Sequence, residues 1–600
     1  MASQRPTKSV IIVGTKHHWC SLVLRLVNVT PGAGVGGITA AALLAKAGFS
    51  VSVYEKNSFT GGRCSLTRHE DYVYWSITFV CPCSLFFKRF DTGPSLLLLP
   101  HIFRSIFEDL GTSLEAEKVE LLKCHPNYNI WFHDGENFQL STDMAQMKQE
   151  VERFEGKAGF SRYLNFVREA HEHYELSVSH VLRKNFTSLA SMLRPSFLQH
   201  LLALHPFESI WSRASKYFWT ERLRRVFTFG SMYMGMSPFD APGTYSLLQY
   251  TELAEGIWYP KGGFHRIMEA VVEVGKRYGV KYHLNDPVSS ILLTPSERAT
   301  KGVVLESGEE VMADVVIINA DLVYAYNNLL PPAQEAKTLK RRPASCSSIS
   351  FYWATDRIIP ELVTHNIFLA ERYRESFDDI FKRQQIPEEP SFYVNVPSRV
   401  DATAAPAGKD SIVVLVPVGH LLDEAEGRGI GTERKQDWDK MVARARDVVI
   451  STIKVRTGAD LKGRIIHESV HTPATWKESF NLDKGAILGL SHDFFNVLSF
   501  RPKTKHPNID RLHFVGASTH PGTGVPICVA GARLVADQVL DSVNMKKPWE
   551  IERSNGEVAP IDQTQIRPML STFHFVILAL VALVFGLLYK PPVHMLMERR

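Results

Sequence analysis

No stripe of like charge runs through this sequence. Its 68 Lys and Arg are interspersed with 63 Asp and Glu, leaving a net charge of +5 over 600 residues, so no nucleic acid partner is expected, since that needs basic groups gathered on one face. Cysteine is scarce and irregularly spaced. The seven present, an odd number, read as reduced thiols of a cytosol-facing protein rather than a disulfide framework. Cys81-Pro82-Cys83 is too close-set for a zinc half-site and has no His/Cys partner pair, so no metal site is expected. No secretory apolar segment opens the chain, which makes the sequons at Asn28 and Asn185 chance matches. The apolar run that stands out is Met569 to Tyr589, MLSTFHFVILALVALVFGLLY. As a helix it matches the about 30 Å hydrocarbon core of a bilayer and reads as a membrane anchor. Basic residues flank it on both sides, so its orientation stays open.

With 45% apolar and 22% charged residues the chain is globular and long enough for two or more domains. Its organising stretch is Ser9-Val10-Ile11-Ile12-Val13-Gly14, followed after an interruption by Gly32-Ala33-Gly34-Val35-Gly36-Gly37 and an alanine-rich helix. A β-branched strand, G-x-G-x-x-G and a helix form the phosphate-binding turn of a dinucleotide fold, where backbone and helix N–H groups face a pyrophosphate. A second short strand ends in Glu55, placed to bind adenosine ribose hydroxyls. Gly61-Gly62-Arg63 then lets the backbone approach a ligand and offers a forked guanidinium.

Further along, residues 115–140 alternate as a hairpin pair, and the pattern from Asp143 to about Tyr250 is helical and rich in aromatics. Such a stripe is more often core than ligand box, although it also suits a cap over a long greasy pocket. Strands near Val288, Gly302 and Val311 to Ala320 read as additions to the nucleotide domain, which is therefore discontinuous. Those at 347–353, 391–396 and 411–416 read as the floor of a substrate domain. Near the end, Leu512 to Ala517 is a strand and turn, and glycines with Pro526 open a helix whose positive end can stabilise a reduced flavin.

Taken in order, Gly32 to Gly37, Glu55, Gly61-Gly62-Arg63, Asp91-Thr92-Gly93-Pro94-Ser95, the Val288 strand and Gly516 through Pro526 resemble the bacterial and fungal phytoene desaturases, over nearly the whole chain. The resemblance implies an α/β fold: a discontinuous, Rossmann-like FAD-binding domain of the glutathione-reductase and amine-oxidase kind, an α+β substrate domain and a C-terminal transmembrane helix. It divides the chain into FAD-binding segments 1–140, 281–345 and 506–545, a helical substrate and membrane-facing domain 141–280, a substrate sheet 346–505 and the anchor 569–589.

By the same resemblance the cofactor is FAD, with Gly32, Ala33, Gly34, Gly36 and Gly37 on the pyrophosphate and Glu55 on the ribose. Gly61, Gly62 and Arg63 take the flavin side, Val288 the adenine, and Gly516, Val525 and Pro526 the isoalloxazine end. The implied reaction removes hydrogens repeatedly from 15-cis-phytoene to give lycopene or 3,4-didehydrolycopene, with oxygen or a quinone as electron acceptor. A saturated hydrocarbon offers no acidic proton, so the cofactor does the oxidation and no catalytic side chain is named. Expected partners are the lipid-soluble polyene and a membrane, by default the endoplasmic reticulum with the catalytic domain in the cytosol. Homo-oligomerisation is left open. A flavin amine oxidase or other carotenoid-modifying oxidoreductase is the competing enzyme.

Two stretches depart from the family pattern. Without Thr15–Gly32, or equivalently Gly14–Pro31, the apolar strand would run straight into the glycines, and without Val73–Lys88 Tyr72 would meet Arg89. Both read as introns retained and translated in frame, with a genuine surface loop as the competing reading. The first stands between strand and turn, where 2 to 6 residues are usual. It therefore predicts weak FAD occupancy in this chain, and a catalytically silent protein as the third alternative.

Overall fold

The computed structural model describes residues 26–69, 88–194, 200, 203–422 and 436–550. The Val10–Val13 stretch, the Met569–Tyr589 anchor and most of both suspected inserts lie outside them.

A five-stranded parallel sheet forms the frame, in the order 512–514, 315–318, 27–31, 50–55, 281–284. Val315-Val316-Ile317-Ile318 is buried throughout, as an unbroken β-branched run must be when helices cover both faces of a parallel sheet. Helix Val35–Lys46 leaves the central strand and packs against helices His265–Arg277 and Val525–Ser542. Strand order reverses between 27–31 and 315–318, and such a switch point opens a crevice at the carboxyl ends of the strands.

The central strand is Val27–Pro31, paired in register from Val27 with Ser50 to Pro31 with Tyr54. This corrects one expectation: the end of the first suspected insert supplies a strand that runs directly into Gly32. The glycine turn is closed in this chain, so the ground for expecting weak FAD binding is removed. The second suspected insert connects two antiparallel strands, 66–69 and 88–91, whose register ends at the His69–Lys88 pair.

A second correction concerns the strands near Val288. Val288–Leu293, Thr300–Leu305 and Glu310–Met312 form their own antiparallel sheet, and of the strands read as additions only 315–318 enters the parallel one. A seven-stranded sheet carries the substrate side, in the order 465–471, 347–355, 411–418, 392–395, 365–368, 128–131, 137–140. The last two strands are the hairpin expected within 1–140. Between these bodies lie helices Met144–Glu155, capped by the Asp143 carboxylate, and Lys157–Ser177, with shorter turns to Glu255. Most of their aromatics are core: Phe166, Phe218 and Phe227 pack with ring centroids 4.3–5.5 Å apart.

Candidate functional site: a dinucleotide cleft that continues into an apolar chamber

Three strand ends meet at Asn319. Its backbone N–H donates to Pro31 O at 2.8 Å and its side-chain amide donates to Val515 O at 2.8 Å, which ties the ends of 27–31, 315–318 and 512–514 together. Its Oδ1 is buried without a partner and faces Gly34, where a Cβ would come within 2.6 Å of it. Sequence reading placed Asn319 at a strand end and missed this role; the only signal was an amide directly after an apolar run.

The glycines divide by task. Gly32 sits at φ +101, in the left-handed region that other residues adopt only with strain, and Gly34 and Gly36 line the cleft as bare backbone. Ala33 and Gly37, expected on the pyrophosphate with them, also serve the frame. Ala33 is spent on the frame, its N–H donating to Glu55 Oε2 at 2.8 Å and its carbonyl accepting from Gly61 at 2.7 Å. Gly37 lets the helix approach the strand, since a Cβ there would lie 2.2 Å from Gly32 O.

Glu55 ends its strand buried, and its Oε1 accepts the Asn57 backbone N–H at 2.9 Å and side-chain amide at 2.8 Å. A carboxylate has about four acceptor sites, and with the Ala33 bond to Oε2 three are taken, so one lone pair remains for a hydroxyl on the cleft side. Gly61 and Gly62, both at positive φ, bring the chain beside Gly34, and Arg63 follows, its Nη1 donating to Ile487 O. Burial pushes the Arg63 guanidinium down, opposed by Cys528 and Asp321. Asp321, beside it on the cleft wall, is pushed up by burial to about 6.

Val288, Gly516, Val525 and Pro526 line the same cavity as Glu55, whose volume is about 1280 Å³. At the far end helix 525–542 begins after Gly524 at φ +104, with Pro526 in its first turn and no side-chain cap. Helix 35–46 is likewise uncapped at Gly34. The first N–H groups of a helix lack intrahelical partners, so two uncapped helix starts open on one cleft, one suited to phosphate and the other to an electron-rich ring edge.

The ring end is braced by residues that sequence reading did not single out. Buried Arg501 donates to the carbonyls of Thr519, Ser491, Asn496, Leu490 and Ala517, linking the loop after 490 to the turn before the last helix. Burial pushes it down to about 10, which leaves it charged at neutral pH. His492 accepts the Thr523 N–H at 3.1 Å, and burial together with Arg501 holds it neutral.

Beyond the ring end the cavity continues between Leu98, Val181, Met192, Leu204, Leu248 and Val497, all apolar. Of the expected aromatics in the helical segment, Tyr233 lines it, on the turn Phe229–Met234. The two uncapped helix starts, the unpaired Asn319 oxygen and the ribose-facing carboxylate fit a flavin dinucleotide laid along the parallel sheet.

This arrangement defines a flavin-dependent oxidoreductase with FAD as its cofactor. The chain belongs to the family of flavin containing amine oxidoreductases, whose profile matches residues 35–540. It is 58% identical over 570 residues to the phytoene desaturase of Fusarium fujikuroi, covering 93% of this chain and 97% of that protein. To the phytoene desaturase of Neurospora crassa it is 56% identical over 540 residues, 88% of this chain and 87% of the other. Among solved structures a putrescine oxidase mutant superposes with a TM-score of 0.55 at 13% identity, over 86% of this chain and 99% of that one, and so shares the fold.

Proposed function

We propose that this chain is an FAD-dependent phytoene desaturase, converting 15-cis-phytoene by successive dehydrogenations to lycopene or 3,4-didehydrolycopene in carotenoid biosynthesis. One observation carries the reading: Glu55 and Pro526 line a single cavity that runs on into an apolar chamber. Its about 1280 Å³ exceeds the roughly 300–1,000 Å³ of ordinary ligand sites, as a cleft holding a cofactor and a long substrate end to end requires. An amine oxidase would need a small aromatic cage, whereas this chamber is long and largely aliphatic.

FAD, when bound, would supply the oxidising power at the ring end of the cleft. The chain's own residues hold and exclude. Glu55 binds the adenosine ribose, and the helix start at Gly34 with Gly36 takes the pyrophosphate. Gly61, Gly62 and Arg63 flank the flavin, Val288 the adenine, and Gly516, Val525 and Pro526 the ring. The aliphatic walls keep water from the reacting carbons. Oxygen or a quinone would serve as the electron acceptor.

The chamber rim supports a membrane partner. Leu189 and Phe207, which line the cavity, are 53% and 60% exposed, and Phe495 beside them is 66% exposed. Phe207 and Phe494 stand 5.2 Å apart there. Such a rim suits a pocket mouth facing lipid, from which a hydrocarbon can enter without crossing water. Among the described residues no helix is long and apolar enough to cross a membrane. The apolar Met569–Tyr589 stretch is the anchor in this reading, with the endoplasmic reticulum as its site and the catalytic domain in the cytosol.

Expression in a phytoene-accumulating host tests the function: coloured polyenes in the lipid extract are expected, and a host that keeps colourless phytoene refutes it.

A further inference from the structure

A buried carboxyl group lies one hydroxyl away from the chamber wall. Glu252, on the turn Thr251–Glu255, is 1% exposed, and its Oε1 accepts a hydrogen bond from Tyr128 Oη at 3.0 Å. Tyr128 opens a strand of the seven-stranded sheet and is itself fully buried. Its hydroxyl is hydrogen-bonded to that of Tyr233, one of the aromatics on the cavity wall. Three separate segments of chain thus bring Tyr233, Tyr128 and Glu252 into one line that starts at the chamber and ends in the core.

The reaction needs a place for a proton. When two hydrogens leave adjacent carbons, one departs with its bonding pair to the flavin; the other departs as a proton, and the electron pair of its C–H bond becomes the new double bond. Loss of the first hydrogen makes the carbon cationic, so the neighbouring C–H becomes acidic enough for a hydroxyl to accept its proton, provided that hydroxyl can pass its own on.

We propose that Tyr233 accepts this proton while its own moves to Tyr128 and the Tyr128 proton moves to the Glu252 carboxylate, so that Tyr233 is a catalytic residue and Tyr128 and Glu252 position and drain it. The inference rests on the desaturase reading above. The geometry fits its direction, since Tyr128 donates to Glu252 and Tyr233 is one of the residues that line the chamber. The groups that face the carboxyl are Tyr128 and Tyr233. Tyr393 acts on both tyrosines, and the neutral His365 ring lies 5.9 Å from that of Tyr128. Burial pushes Glu252 up to about 8. The base is therefore ionised in a minority of molecules at neutral pH.

The test is anaerobic bleaching of the flavin-loaded protein by phytoene in liposomes, between about pH 6 and 9. The wild-type rate is expected to rise about tenfold per pH unit and level off near 8. Glu252→Gln and Tyr233→Phe are each expected to slow bleaching about tenfold or more and to flatten the profile, with flavin content and KM unchanged. Wild-type rate and slope in either variant overturn the proposal. Should Glu252→Gln lose flavin through misfolding, Tyr233→Phe, which removes one hydroxyl, decides alone. A wild type that phytoene does not bleach overturns the desaturase reading and this inference together, whereas bleaching that the variants leave untouched overturns the inference only.

Discussion

Deleting Thr15–Gly32 tests which segment belongs at the centre of the parallel sheet. The deletion joins Gly14 to Ala33, so that Ser9-Val10-Ile11-Ile12-Val13-Gly14 takes the register now held by Val27-Asn28-Val29-Thr30-Pro31-Gly32. In the present strand Asn28 and Thr30 are completely buried. The Asn28 side-chain carbonyl has no partner, and its amide reaches Thr30 Oγ1 at 3.2 Å. An unsatisfied buried acceptor costs roughly 1–3 kcal/mol, which Val10 removes. Ile12 in place of Thr30 exchanges a hydroxyl for apolar surface, about 1–2 kcal/mol. Val13 in place of Pro31 restores a backbone donor, about 1 kcal/mol. Ile11 in place of Val29 adds a methylene to a filled site and gives back about 1 kcal/mol. Ser9 in place of the partly buried Val27 gives back about 1 kcal/mol more, so the net favours the shorter chain by about 1–4 kcal/mol.

Thermal unfolding of the two purified chains, with flavin absorbance per protein recorded beside it, reads this difference. The shorter chain is expected to unfold several degrees higher and to hold flavin at least as fully. An equal or lower midpoint would refute the reasoning, because it would mean that the polar strand is accommodated without cost. Sequencing the mature messenger gives an independent check: codons for residues 15–32 are expected to be absent.

Deleting Val73–Lys88 should leave stability unchanged, because residues 69–72 suffice to close the hairpin between Arg68 and Arg89; a clear drop in midpoint would show that the stretch packs on the fold. Gly37→Ala sets a Cβ 2.2 Å from the Gly32 carbonyl oxygen and is expected to cost about 3 kcal/mol or more and to abolish flavin retention, read as absorbance per protein after purification. Glu252 also links stability to pH. Its folded pKa of about 8 lies above the roughly 4.3 of an unfolded glutamate, so the folded state holds a proton that the unfolded state has lost between those values. Stability from this group is full below about pH 4, falls as pH rises and is lost above 8, by on the order of 5 kcal/mol. Urea unfolding at pH 5 and 8 should therefore show a smaller difference in Glu252→Gln than in wild type.

What could be read from the sequence was what a local rule dictates. Glu55 was found because a strand must end in an acid about 20 residues past the glycines, and Gly524 and Pro526 because a helix start has its own residue signature. Asn319 escaped because its work is to join three strand ends contributed by segments almost 200 residues apart, as in its bond to Val515, and no local pattern encodes that meeting. Glu252 left a fainter trace, a lone acid at helical spacing after Leu248, on what proves to be the buried face. An acid on an apolar stripe must find donors or keep its proton, and here two tyrosines from distant segments satisfy it. Val27–Pro31 shows the opposite case: its residues are poor for a central strand, yet they occupy it, because a gap there would leave the facing groups of strands 50–55 and 315–318 unpaired. A sheet centre fills its vacancy with the nearest extended segment, whether or not that segment is the best the chain contains.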